Sequence, residues 1–121
     1  LKMFPSNVEW KGFITDKMLI KLYEEALVFF LPSVAETLGY SILEAMAAGC
    51  AVVSTVQLPY FGYRIKEEDD VEKIAKIIDR MMREKSKTVK MGLRNRDIVK
   101  KCYRWEKFIR TFNTLLYSLG K

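Results

Sequence analysis

Glu36 and Glu44 are the two side chains whose type and spacing point to chemistry, with Thr37, Leu38, Gly39 and Tyr40 between them. A loop carboxylate accepts hydrogen bonds from sugar hydroxyls more strongly than a neutral acceptor does. Backbone N–H groups at the start of a helix form a site for phosphate, and Thr37, Leu38, Gly39 and Tyr40 fall where such a start is expected. Gly39 has no side chain to keep a ligand off the backbone. Glu44, two turns into the same helix, can hold a second diol, as the acidic residue of dinucleotide sites holds a ribose. A ligand offering sugar, phosphate and ribose in that order is a nucleotide sugar. A plainer explanation is also open: Glu36 as a charge favoured by the helix dipole, and Glu44 as a solvated helix residue.

The elements around these residues belong to a parallel α/β sheet. Residues 26–31 form a continuous apolar run stopped by Pro32, the pattern of a strand buried on both faces. A helix is expected from about residue 38 to 48, ended by Gly49, and a second buried strand over 51–55. Upstream, residues 8–10 have the composition of a short strand and Gly12 that of a turn. Thr15 or Asp16 can cap a helix whose apolar stripe is Met18, Leu19, Leu22, Tyr23 and Ala26. Downstream, residues 63–65 read as an edge strand. Acidic residues 67–70 open an amphipathic helix with Val71, Ile74, Ala75, Ile78, Met81 and Met82 inward. Further helices are expected over 87–101 and 105–119, the last turning Phe108, Ile109, Phe112, Leu115, Leu116 and Leu119 to the core. Alternating strands and helices are the signature of a parallel sheet.

With 121 residues, 50% of them hydrophobic and 30% charged, the chain fits one globular domain, residues 1–121. It opens on Leu1 rather than Met, which reads as part of something longer. There is no histidine, and Cys50 and Cys102 stand apart, which excludes His-based catalysis and a structural zinc site within this sequence. Two lone thiols fit a reduced, cytoplasmic setting, and no apolar run approaches the roughly 20 residues of a membrane span. The net charge of +6 is uneven: residues 1–79 carry 8 basic against 12 acidic residues, and residues 80–121 carry 13 against 3. A partner with negative charge would suit the basic end, whether lipid headgroups or nucleotide phosphates. A solvated basic helix face explains it as well. Nucleic acid is not expected, because Tyr103, Trp105 and Phe108 are spaced for burial rather than base stacking.

The run Leu31-Pro32-Ser33-x-x-Glu36-Thr37-Leu38-Gly39-x-x-x-Leu43-Glu44-Ala45-Met46-Ala47-Ala48-Gly49-x-x-Val52-Val53 resembles the donor-site signature of retaining GT-B glycosyltransferases of the family 4 type. Gly12, Leu22, Tyr23 and Ala26 are similar to that family's approach to the signature, and Tyr103-Arg104-Trp105-Glu106-Lys107 to the opening of its last helix. The resemblance implies the C-terminal, Rossmann-like half of a GT-B enzyme, which binds a nucleoside diphosphate sugar opposite an N-terminal acceptor domain. It makes Glu36 the catalytic-site contact to the donor sugar, sets the amides of Thr37, Leu38, Gly39 and Tyr40 along the diphosphate, and gives Glu44 the ribose. Transfer would retain configuration and need no bound metal or other cofactor. Family members often act on lipid-linked acceptors, which would place this one in the cytoplasm with peripheral contact to an anionic membrane.

Departures from the pattern bear on activity. The family's diphosphate-binding Arg and Lys precede the signature and have no equivalent here, and the acceptor domain is missing. One charge-stabilising donor is worth about 10²–10³ in rate, so this sequence alone is expected to be inactive and the intact protein active. A Gly-Gly-x-x-Glu loop normally follows the second strand, whereas here Val56-Gln57-Leu58-Pro59 leads directly to Gly62-Tyr63, and Ala51 replaces a common proline. A non-catalytic GT-B-like interaction module and a sugar-nucleotide epimerase are the alternatives.

Overall fold

The computed structural model describes residues 4–33, 40–102, 114 and 117–120. In chain order these form α1 (Asp16–Glu25), β1 (Val28–Leu31), α2 (Tyr40–Ala47), β2 (Ala51–Ser54), β3 (Gly62–Arg64), α3 (Val71–Arg83) and α4 (Lys85–Cys102). The three strands pair in parallel in the order β1-β2-β3, with Phe29 opposite Val52 and Val53 opposite Tyr63. This is a small Rossmann-like α/β sheet with helices on both faces.

Local chemistry sets the element ends. The Thr15 hydroxyl accepts the Met18 amide at 3.2 Å, and the Asp70 carboxylate accepts the Lys73 amide at 2.7 Å, each satisfying an N–H with no partner inside its helix. At the end of α2 the Gly49 amide donates to Met46 and the Cys50 amide to Ala45, both at 3.0 Å, with Gly49 at φ 91°. That is a Schellman cap, which needs a residue able to take positive φ.

Side chains alternate across the sheet. Ala51 and Val53 turn to one face, where Ile74, Ile77, Ile78 and Met81 of α3 cover them. Val52, Phe29 and Leu31 turn to the other, against Ile42 and Met46 of α2 and Ile98 and Val99 of α4. Helix α4 thus serves both faces: Met91 packs with the first cluster, and Ile98 and Val99 with the second. Between them Gly92 and Asn95 meet the amino-terminal ends of the strands. No helix among the described residues is long and apolar enough to cross a membrane.

Several expectations need correction. Residues 8–10 form no strand: no strand pairs with them, and Trp10 instead stacks on Phe4 with ring centroids 6.2 Å apart. Strand β1 is not buried on both faces. It lies at the edge of the sheet, and Phe30 remains 41% exposed, whereas central β2 is buried throughout. The inward stripe of α3 is Ile74, Ile77, Ile78 and Met81; Val71 and Met82 sit beyond its ends, exposed, and Ala75 faces solvent. On α1, Met18 is exposed while Leu19, Leu22 and Tyr23 are half-buried. The edge strand expected at 63–65 is β3, and it pairs parallel with β2. Most of the last expected helix, including Trp105 and Phe108, lies outside the described residues.

Candidate functional site

Parallel pairing brings Leu31, Ser54 and Arg64 to one edge of the sheet, the edge at which open α/β sheets hold ligands. Hydroxyl groups tie its backbone together. The Ser54 hydroxyl donates to the Leu31 carbonyl at 2.7 Å and accepts the Val56 amide at 3.0 Å. The Thr55 hydroxyl donates to the Ser33 carbonyl, fixing the chain as it leaves β1. The Ser54 carbonyl accepts both the Tyr60 hydroxyl, at 2.8 Å, and the Ile65 amide, at 3.0 Å. These bonds hold residues 55–61 as a short link closing the parallel β2–β3 pair without a crossover helix. Arg64 brings a cation to this edge, 6.0 Å from the Tyr60 ring centroid and donating to the Leu58 carbonyl at 3.3 Å.

Of the residues singled out in the sequence, Glu36, Thr37, Leu38 and Gly39 lie outside the described residues. Tyr40 is the first residue of α2 and is 65% exposed. Glu44 follows one turn later on the same side of the helix and is also exposed. It lines a groove of about 530 Å³ between α1 and α2. Leu19, Ile20, Ala47 and Ala48 give the groove apolar walls, and Asp16, Tyr23, Glu24 and Glu44 its polar groups.

Tyr23 entered the sequence reading only as part of an apolar stripe. It lines the α1–α2 groove together with Glu44. Burial, and then the Glu44 charge, push the phenol above its ordinary titration range. Its ring meets Phe29 edge-on, centroids 5.7 Å apart. The buried Cys50 thiol donates to the Tyr23 carbonyl at 3.1 Å, and burial pushes that thiol up as well. A conspicuous signal for Tyr23 is absent from the sequence, because its place beside Glu44 depends on how α1 crosses α2. An apolar-walled groove that holds a carboxylate and a phenol can take a flat, partly apolar ligand that carries vicinal hydroxyls.

No curated protein and no solved structure matches the chain. The family model for glycosyl transferases group 1 matches residues 2–98, most of the sequence and all of the sheet. The parallel sheet and the carboxylate on α2 thus stand in a chain that belongs to the group 1 glycosyl transferases.

Proposed function

We propose that this chain is the nucleotide-sugar-binding half of a retaining GT-B glycosyltransferase that moves a hexose from a nucleoside diphosphate sugar to an acceptor. The observation that carries the reading is Glu44, set in the α1–α2 groove one turn past the start of α2, in a chain of this family. In this reading Glu36 contacts the donor sugar's hydroxyls, the amides of Thr37, Leu38, Gly39 and Tyr40 bind the diphosphate, and Glu44 takes the ribose diol. The acceptor, and the cations that neutralise the departing diphosphate, come from outside this sequence. No metal takes part, and the departing phosphate guides the acceptor hydroxyl.

The test is titration calorimetry of UDP-, GDP- and ADP-sugars on the intact protein. Saturable binding of one of them is expected, weakened about 10–100-fold by Glu44→Ala, the size of a lost charged hydrogen-bond pair. Absence of binding to every nucleotide sugar overturns the reading. One observation favours a second: the 55–61 link between β2 and β3 carries no Gly-Gly-x-x-Glu sequence. A half-fold kept for binding alone would bind the donor yet show neither transfer nor donor hydrolysis in the intact protein.

A further inference from the structure

We infer that a groove between the end of α1 and α4 is the docking face for a second copy of this chain, related to the first by a two-fold axis. The groove lies at the amino-terminal end of the sheet, away from the edge where Leu31, Ser54 and Arg64 end their strands. It is therefore independent of the proposed function.

The groove has a volume of about 540 Å³, and contacts set the order of its floor. The Cys50 thiol donates to the Ala26 carbonyl at 3.5 Å, which ties the end of α1 to the start of β2. Gly49 in turn lies against Gly92 of α4, with no space for a Cβ between them. On the α4 side, Met82, Val89 and Leu93 are between 41% and 53% exposed. Lys85, Val89, Leu93 and Arg96 follow one another by single turns and so share one side of the helix. Large apolar side chains grouped at a surface and rimmed by charge mark an interaction site.

The charges at the rim are of both signs and lie on different elements. Glu24 and Glu25 come from α1, Lys85 and Arg96 from α4, and all four are exposed. The two glutamates close α1 at the negative end of its dipole, where carboxylates are disfavoured, and no basic residue lies in that turn. Among the described residues none of the four is in an ion pair. On α3, by contrast, Lys73, Lys76, Arg80 and Arg83 each have a carboxylate partner.

An apolar strip with acids on one side and bases on the other is self-complementary. A two-fold axis through the strip sets Glu24 and Glu25 of one copy against Lys85 and Arg96 of the other, and symmetry repeats the pairing. The apolar side chains then form the centre of the interface and the charges its rim. A partner of one sign, an anionic lipid surface included, would be repelled by half of this rim.

Sedimentation velocity on the intact protein tests the inference. A reversible dimer is expected in the micromolar range, weakened about tenfold by high salt as the rim pairs are screened. Glu24→Lys with Glu25→Lys makes the rim wholly basic, and Lys85→Glu with Arg96→Glu makes it wholly acidic. Each double variant alone should dimerise at least about tenfold more weakly, and the two mixed should pair to within about threefold of the wild-type affinity. Leu93→Ser, which changes no charge, should also weaken the dimer about tenfold. These side chains are exposed, so the melting temperatures of the monomers should hold. Lys90→Glu with Lys101→Glu changes the net charge equally outside the groove and should leave the dimer intact. Protein that stays monomeric throughout the micromolar range, a dimer indifferent to the groove reversals, or mixed variants that fail to pair overturns the inference. Monomeric protein that binds phosphatidylserine vesicles, and loses that binding with Lys85→Glu and Arg96→Glu, also overturns it and gives the face to a membrane.

Discussion

Asn95 is wholly buried on α4, and its amide group serves the backbone just ahead of β2 and β3. Its carbonyl oxygen accepts the Phe61 amide at 2.6 Å, and its amino group donates to the Cys50 and Phe61 carbonyls at 2.9 Å each. Cys50 precedes β2 and Phe61 precedes β3, so one side chain closes the amino-terminal edge between the two strands. Truncation would leave the Phe61 amide and the Cys50 carbonyl without their partner, while the Phe61 carbonyl keeps the Val52 amide at 3.2 Å, and each orphaned group costs about 1–3 kcal/mol. Asn95→Ala should therefore lower unfolding stability by about 3 kcal/mol, read as a reduced urea midpoint; a change below about 1 kcal/mol would show that water replaces the side chain. Hydrophobicity could not single this residue out. The inward stripe of α4 is Thr88, Met91, Gly92, Asn95, Ile98 and Val99, which keeps helical spacing but is half polar or glycine. It looks polar because much of what it meets is backbone carbonyl rather than apolar side chain.

At the scale of elements, α4 and the end of α2 approach until backbone touches backbone. A Cβ placed on Gly92 would lie 1.9 Å from the Gly49 carbonyl oxygen, inside any possible contact. Gly92→Ala must push α4 away from the α2 cap, and strain of this kind typically costs about 1–3 kcal/mol, occasionally more. A fall in melting temperature at that scale is expected, whereas Gly12→Ala, at an exposed turn whose nearest neighbour is the Trp10 indole nitrogen at 3.7 Å, should bring a smaller loss. The helices themselves were legible from the sequence, because caps are local chemistry: Thr15, Gly49 and Asp70 act where their types predicted. The strands were legible where the apolar run was continuous, at 28–31 and 51–54. The run at 8–10 was misread because strand propensity counts only when a neighbouring strand supplies the ladder. The exposure of Phe30 was misjudged for a related reason, since an apolar run does not reveal which strand will be at the edge.

For the whole molecule, titration of buried acids sets the alkaline limit. Burial raises the Cys50 thiol above its ordinary 9.0, and burial together with Glu44 raises Tyr23 above 10.0. As pH climbs past these ordinary values, the unfolded chain releases protons that the folded one still holds. The folded state then binds more protons, so stability falls as pH rises. The melting temperature should be level through neutral pH and decline above about pH 9, and Cys50→Ala should flatten the first part of that decline. A profile unchanged in slope by that variant would show that the thiol is not the group involved. The site was legible in sequence to a different degree from the fold. Glu44 lies in a groove of suitable chemistry, but the groove it shares with Tyr23 is made by α1 crossing α2, and no periodicity within either helix encodes it.

The position of α4 across the amino-terminal edge has a consequence for how the protein is made. Synthesis proceeds from the N-terminus, so β2 and β3 leave the ribosome well before Asn95, which lies 45 residues beyond Cys50. Until α4 arrives, the Cys50 carbonyl and the Phe61 amide lack the partner that Asn95 supplies, and the small sheet is open along the end that α4 will close. The nascent chain therefore passes through an interval with an apolar, incompletely hydrogen-bonded sheet, the kind of surface on which misassembly and chaperone capture begin.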